Sequence, residues 1–513
     1  MYIRKLKNRS GSISIQIISK VKGRYKVVKT IGCATQQHKI KQLESQAKQE
    51  LKKITQQGQM TLFKSESDEL VRSIFQSLRN SSIHTIGPEL IFGKIFDFIG
   101  LDQIKDKMFR HLVIARLAFP LSKLKTIEYL YRYQGVTLEI SAVYRFLDKL
   151  SDKYKEKAEQ IVFEHTKKVL GGEVGVVFYD MTTLYFEASD EDDLRKSGFS
   201  KDGKHQNPQI FLGLLVAKKG YVIGYDIYKG NTYEGDTLIP FIEKIASKFK
   251  LDKPIVIADS GLLSKKNIEA LRAVGYEYIL GARIRNESEK IKTHILENYY
   301  ADGDTVSIQK DKSNRIIISY SSKRAKKDAY NRERGLRCLE KRIKTGRLTK
   351  SSINNRGYNK YLKLEGEVNI EIDYSKLEQD KYWDGLKGYI TNTKLTDEEV
   401  IANYGELWHI EKAFRISKTD LRIRPIYHRL RNRIEAHICI SFTAYSIYKE
   451  LERALYMAKS SLSVKEASEL THNMYQITYR LPDSKTSETQ LLEMDEQQRK
   501  LYEIVNNFSR VLQ

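Results

Sequence analysis

Apolar and polar residues alternate from the start of the chain, in SISIQII and again in YKVVKTIG. Lys22, Gly23 and Arg24 lie between the two runs, which predicts a small antiparallel hairpin. The period then changes. Along QHKIKQLESQAKQELKKI apolar residues recur every three or four positions, which predicts a helix whose charged face meets water. From about residue 66 to 170 the pattern stays helical, in DELVRSIFQSL, ELIFGKIFDFIG, MFRHLVIARLAF and ISAVYRFLDKL, with Ser141 placed to cap the last. Short helices of this kind suit a DNA-binding or dimerisation domain, and equally suit internal packing.

Residues 171 to 285 change to an α/β pattern. The run VGVVFYD reads as a buried strand ending at Asp180. IFLGLLVA and YVIGYDIY follow, joined across Lys218, Lys219 and Gly220. A helix, DTLIPFIEKIASKF, leads to the strand PIVIAD, which ends at Asp259. The helix SKKNIEALRAVG comes next, with Ser264 as its cap and Gly275 as its terminator, and then the strand YEYILGA. The order β-β-β-α-β-α-β is that of a ribonuclease H-like core, in which the first and fourth strands are neighbours and bring Asp180 and Asp259 together.

Residues 286 to 375 interrupt this core with alternating pieces, TVSIQ, NRIIISYS and VNIEIDY, around a basic section. Between Lys323 and Lys350 that section holds twelve basic and three acidic residues. It reads either as a phosphate-binding surface or as a solvated charged helical hairpin. The core resumes with the strand LKGYITNT and the helix that carries Glu411. The expected division is therefore a hairpin and helix (1–60), a helical DNA-binding or dimerisation domain (61–170), the first segment of the ribonuclease H-like core (171–285), a β-rich basic insertion (286–375), the second segment of the core (376–460) and a helical tail (461–513).

Composition narrows the function. With 89 Lys and Arg against 65 Asp and Glu, the formal charge is +24, which implies a polyanionic partner. The three cysteines, Cys33, Cys338 and Cys439, have neither metal-ligand nor redox spacing, as expected of a reducing, cytoplasmic setting. The longest apolar-leaning stretch, AHICISFTAYSIY, is too short to span a bilayer, and no membrane association is expected.

Asp180, Asp259 and Glu411 are the candidate chemistry. On a helical projection of ELWHIEKAFRISK, Glu411 shares a stripe with Leu407, Ile410, Phe414 and Lys418, which predicts an inward-facing carboxylate. Buried carboxylates that converge need a counter-charge. Two aspartates and a glutamate are hard oxygen donors suited to two Mg²⁺ or Mn²⁺ ions, the apparatus of phosphodiester cleavage. Tyr404, Glu411 and Lys418 recur every seven residues and are expected on one helical face. Lys418 and Arg415 would offset phosphate charge there, and Arg422, Arg424 and His428 of LRIRPIYHRLRNRIEAH add candidate DNA contacts.

These residues carry a resemblance. The frame Tyr404, two residues, Leu407, three residues, Glu411, six residues, Lys418 resembles the Tyr-Arg-Glu-Lys signature of insertion-sequence DDE transposases, with Leu407 where the signature has arginine. YDMTTLYFE, ADSGLLS and HIEKAFRISKTDLRIRPIYH are similar to a subgroup in which that leucine is familiar. The resemblance implies a ribonuclease H-like catalytic domain with a β-rich insertion. It implies Asp180, Asp259 and Glu411 as metal ligands, and Tyr404 and Lys418 as DNA contacts. The implied activity is cut-and-paste transposition: a homodimer binds terminal inverted repeats, cleaves element ends with Mg²⁺ and joins 3′-hydroxyls to target DNA. Trp383, the residue a base-flipping role would require, is expected to pack beside a core strand instead. Two other readings remain open at this point: a non-catalytic DNA-binding derivative of a transposase, and a metal-dependent nuclease without strand transfer.

Overall fold

The computed structural model describes residues 1–21, 23–62, 71–72, 75–76, 78–79, 82–201, 203–262, 264–346, 348–354, 357–365, 369–480 and 486–511. The helix expected over DELVRSIFQSL lies largely outside them. The chain forms two compact units, Met1–Ile83 with Gln476–Leu492, and His84–Tyr475 with Glu493–Gln513.

In the first unit the expected hairpin is present as β2 (Ile13–Val21) and β3 (Arg24–Ala34), and β1 (Tyr2–Lys7) adds a third strand along β2. The helix α1 (Gln37–Leu62) packs on this sheet, with Ile15, Ile17, Ile18 and Ala47 buried. Gly32 lies under Leu43, where a side chain would crowd the helix. Gln476–Arg480 and Ser487–Leu491 pair as a second, antiparallel hairpin.

The second unit is built on an eight-stranded mixed sheet. Its strands are β4 (Val176–Tyr185), β5 (Gln209–Ala217), β6 (Val222–Lys229), β7 (Ile255–Ala258), β8 (Tyr278–Ala282), β9 (Thr305–Gln309), β10 (Arg315–Tyr320) and β11 (Leu386–Thr391). Across the sheet they run β9-β10-β11-β8-β7-β4-β5-β6. The three antiparallel strands β4 to β6, followed by parallel β7 and β8 on the other side of β4, give a ribonuclease H-like core. The two crossovers are α6 (Leu238–Phe249) and α7 (Lys265–Val274), and α7 is capped by Ser264 and ended by Gly275 as the sequence predicts. Both ends follow from local chemistry: the Ser264 hydroxyl accepts from the Asn267 amide, and Gly275 takes φ +80°.

The strands TVSIQ and NRIIISY extend this sheet, because β10 pairs with β11 and β11 with β8. The basic section that follows them is one continuous helix, α8 (Ser322–Lys344), and not a helical hairpin. Its buried face, Arg332, Gly335 and Leu339, holds a three- and four-residue spacing and packs on a small core with Tyr361, Leu362 and Ile372.

The early helices α2 (Lys107–Ala118), α4 (Ile140–Lys149) and α5 (Lys155–Val169) share one hydrophobic core with β4, β5 and the long C-terminal helix Arg431–Met457, and α3 (Lys123–Gln134) packs its Tyr129 and Leu130 on Ala115 of α2 in a smaller cluster. Ser141 does not cap α4. Glu139 holds that position without a side-chain bond, and the Ser141 hydroxyl instead donates to the Glu139 carboxylate at 3.3 Å. The run AHICISFTAYSIY lies within the long helix and is almost wholly buried in that core. Among the described residues, no helix is long and apolar enough to cross a membrane.

Candidate active site

The parallel ladder between β4 and β7 ends at the pair Tyr179 and Ala258. One residue further on, Asp180 and Asp259 follow side by side, on the same face because in-register parallel strands project together. This is the point where the chain departs to opposite sides of the sheet, the usual place for a binding crevice in an open α/β sheet. Asp180 is not a strand end, as the hydropathy run predicted. β4 continues to Tyr185 because β5 stays paired with it from Val177 to Tyr185, and only the partner β7 stops.

Burial is also distributed differently from the expectation. Asp180 is half-buried, its side chain 26% exposed, whereas Asp259 and Glu411 are exposed. Asp259 has just left its strand, and its carboxylate accepts from the Gly261 amide at 2.8 Å to form a local turn. Glu411 lies outside the apolar stripe because the buried face runs through Ala413 and Ile416, on the side of Ile410 away from Glu411, and the predicted single helix is also two. Tyr404 lies near the end of α9 (Asp397–Gly405), and Glu411 and Lys418 lie on α10 (Trp408–Thr419) after a turn at Glu406 and Leu407. Ile410, Ala413, Phe414 and Ile416 form the buried stripe of α10, which leaves Glu411 and Arg415 on its outer side.

Burial pushes the Asp180 carboxyl up to about 6; Lys201 and the Met181 amide oppose the shift, and the charges of Asp259 and Glu234 add to it. The Lys201 ammonium stands 3.6 Å from Asp180 Oδ1, ion-pairs with Glu234 and donates to the Met181 carbonyl at 2.6 Å. It is an internal counter-ion for a carboxylate cluster. Sequence reasoning missed both Lys201 and Glu234, which sit in Gly- and polar-rich connections without hydropathy period.

Tyr404 links Asp259 to Glu411. It is buried, and burial followed by the charges of Asp259 and Glu411 raises its hydroxyl above the ordinary range. Its hydroxyl lies against Gly281, where an added Cβ would stand 2.5 Å away, and beside Ser260, the residue after Asp259. Lys387 of β11 lies over the Tyr404 ring at 4.5 Å and within the field of Glu411. Its pKa is lowered by burial and by Arg324, with Glu411 opposing. Lys387 and Arg324 line a cleft of about 760 Å³ that opens from Ser260 and also takes in Arg285, Arg332, Lys360 and Trp383. Trp383 is half-buried against the sheet core, with the Arg285 guanidinium 5.9 Å from its ring.

The remaining sequence candidates continue from α10. Lys418 is half-buried near its end and Arg415 is exposed. Arg422 is exposed in a left-handed backbone conformation, φ 45°, and the Arg424 guanidinium lies 5.6 Å from the Tyr185 ring centroid. His428 is buried, edge-on to Tyr144 and 5.6 Å from the His437 ring.

A hard divalent cation suits the chemistry of the three carboxylates: they offer only oxygen acceptors, and the burial that raises the Asp180 carboxyl is a penalty that added positive charge would relieve. Among the described residues, no three His, Cys, Asp or Glu side chains gather closely enough to form a ready-made metal cage.

The fold and this rim define a ribonuclease H-like α/β protein with paired aspartates at the sheet's switch point. The family profile described as "Transposase DDE domain" matches residues 175–447, and the chain belongs to that family. No curated protein matches the sequence. Among solved structures, the chain is similar to a piggyBac transposase synaptic complex with hairpin DNA, at 9% identity over 83% of this chain and 80% of that one, with a TM-score of 0.37. It is also similar to the Mos1 transposase paired-end complex with left transposon end, at 13% identity over 36% and 57% of the two chains, TM-score 0.16. A Mos1 mariner paired-end complex with Mn matches at 14% identity over 35% and 55%, TM-score 0.14.

Proposed function

We propose that this transposase binds the terminal inverted repeats of a mobile element as a homodimer, cleaves its ends and transfers the 3′-hydroxyls to target DNA, with Asp180, Asp259 and Glu411 as catalytic residues. The observation that supports this reading is that Asp180 and Asp259 each follow the last register pair of the parallel ladder, Tyr179 and Ala258, with Tyr404 in the field of both Asp259 and Glu411. Asp180, Asp259 and Glu411 would hold Mg²⁺ or Mn²⁺, and two such ions supply nucleophile activation and leaving-oxygen stabilisation in phosphodiester cleavage.

The chain's own residues do the rest. Tyr404, fixed between Gly281 and the Asp259 turn, orients a phosphate oxygen by donating from a hydroxyl that stays protonated. Lys387, over the Tyr404 ring, offers a basic group beside it, in a chain where Leu407 replaces the signature arginine. Arg415, Lys418, Arg422 and Arg424 continue the strand path away from the rim. The test is cleavage of a labelled terminal-repeat duplex by purified protein with Mn²⁺. The expected result is a nick at the element boundary that Glu411→Gln abolishes while duplex binding persists. Full cleavage by Glu411→Gln would remove the glutamate from the site, and binding without any nicking would leave a non-catalytic DNA-binding protein. Cleavage without joining in a strand-transfer assay would leave a nuclease.

A further inference from the structure

Away from the carboxylate rim, the structure buries positive charge with no negative charge to balance it. Arg116, on α2, and Lys123, the first residue of α3, are each 5% exposed, and His428 and His437 beside them are 9% and 6% exposed. Together with Arg424 and Tyr427 they line a cavity of about 640 Å³, and none of its lining residues is acidic.

The polar groups are poorly satisfied. Among the described residues Lys123 makes no hydrogen bond or ion pair, and Arg116 makes only a long contact from Nη1 to the Leu421 carbonyl at 3.4 Å, which leaves its Nε without a partner. His437 Nε2 is bonded to the Ile423 carbonyl at 2.8 Å, and its Nδ1 is left without a partner. Among the described residues no acidic side chain acts on any of the four groups; Arg433, which adds to the repulsion at His428, is itself paired with Asp148 at 2.8 and 2.9 Å. Desolvation lowers the pKa of all four groups, and the mutual repulsion of these cations adds to it at Lys123, His428 and His437. An uncompensated pair of buried cations is costly to a folded chain unless something anionic completes it. The first turn of α3 lines the same cavity through Ser122 to Lys125, and the positive end of the helix dipole lies there.

We propose that this cavity binds a phosphate group, with Arg116 and Lys123 as its buried ligands and Arg424 and Tyr427 at its mouth. Its volume has room for a nucleotide unit around the phosphate, and on the transposase reading the bearer is a DNA strand. Only the identity of that bearer rests on the transposase reading. The segment that forms the mouth is pinned to the end of β4: the Ile426 amide donates to the Tyr185 carbonyl at 3.1 Å, and Ile426 bridges Phe186. Tyr185 lies five residues beyond Asp180 on the same strand, a run of roughly 17 Å at strand rise. That is about the span of five nucleotides, which makes the cavity a second anchor on a strand engaged at the rim.

The test has two arms on the full chain. In the first, unfolding is followed while inorganic phosphate replaces chloride at fixed ionic strength. The wild type should gain several degrees in a saturable way. Lys123→Met should start above the wild type in chloride, because an unpaired buried charge is gone, and should gain nothing from phosphate. A wild type indifferent to phosphate overturns the site, and so does a response that Lys123→Met keeps in full, which would mean an adventitious ion only. If Lys123→Met does not fold, Lys123→Gln carries the same comparison, and the wild-type response stands by itself. In the second arm, the salt dependence of binding to a 30-base-pair duplex is measured. Loss of one phosphate contact should lower the log–log slope by about 0.9, and free phosphate should compete. An unchanged slope beside an intact phosphate response would overturn the DNA strand as bearer and assign the cavity to free phosphate. Neither arm reads cleavage, so failure of the catalytic proposal leaves both outcomes interpretable.

Discussion

Asp180 and Asp259 stand next to each other one residue beyond Tyr179 and Ala258, the last partners of the parallel ladder between β4 and β7. The sheet fixes the backbone at Asp180, and the turn after Ala258 delivers Asp259 beside it. Burial of the Asp180 carboxyl, with the charge of Asp259 adding to its effect, is therefore a property of the metal-free protein, and it is measurable.

The first consequence is a pH dependence. Asp180 titrates at about 6 in the folded chain against 3.8 ordinarily, so between those values the folded state holds a proton that the unfolded chain has released. The stability from this group is thus present below about pH 4 and lost as pH rises through 6. The full shift corresponds to about 3 kcal/mol, and water at the exposed edge of Asp180 reduces this to roughly 1–2 kcal/mol. Unfolding free energies from denaturant titrations in chelator should fall from pH 4 to pH 7 by that amount, and Asp180→Asn should flatten the trend. A wild type and a variant with parallel profiles would refute the assignment.

Lys201 makes a second prediction. Its ammonium partly neutralises Asp180 and Glu234, so a bound cation must compete with it. Lys201→Met should tighten Mn²⁺ binding about fivefold, the equivalent of a partly exposed ion pair of about 1 kcal/mol, as read by calorimetry without DNA. An unchanged or weaker affinity would show that Lys201 supports the ligands instead of competing with the ion.

Gly281 and Tyr404 make a third. A methyl group at 281 would stand 2.5 Å from the tyrosine hydroxyl, so Gly281→Ala forces α9 or the ring to move. Overpacking of this kind costs about 1–3 kcal/mol. Tyr404→Phe removes the clashing atom, so the double variant should recover part of that loss in a mutant cycle. Strict additivity of the two changes would mean that the hydroxyl is not what Gly281 accommodates.

Much of this fold was legible in the chain because its strands are buried on both faces and its helices end on ordinary capping chemistry. PIVIAD, IFLGLLVA and SKKNIEALRAVG gave their elements, and the β-β-β-α-β-α-β order gave the adjacency of β4 and β7. What failed was phase. The run VGVVFYD stops being apolar at Asp180, yet its strand continues because pairing with β5, not hydropathy, fixes its length. The seven-residue spacing of Tyr404, Glu411 and Lys418 suggested one helix; the turn at Glu406 and Leu407 puts Tyr404 on a separate one, and the buried face of the second runs through Ile410, Ala413 and Ile416, which leaves Glu411 outside. Lys201, Lys387, Arg116 and Lys123 carried no periodic signal. Each acquires its role from residues far away in sequence.

The basic helix α8 separates anchoring from DNA contact, and the two should be separable by mutation. Arg332 faces inward and holds Asp384 with two bonds of 2.5 and 2.6 Å, both side chains nearly buried. Lys326, Lys327, Arg334 and Arg337 lie on the exposed side of the same helix. Asp384→Asn leaves a buried guanidinium half-paired, and should cost about 3 kcal/mol of stability. Changing the four exposed cations to glutamine should leave stability within about 0.5 kcal/mol. If all four contact phosphates, it should lower the salt slope of duplex binding by about 3.6, at 0.9 per contact. Anisotropy titrations across a salt series give the slope, and thermal unfolding gives the stability. A quadruple variant with the wild-type slope would make this face a solvated surface, and the excess charge of the chain would then have to act elsewhere, with the cavity of Arg116 and Lys123 the first place to look.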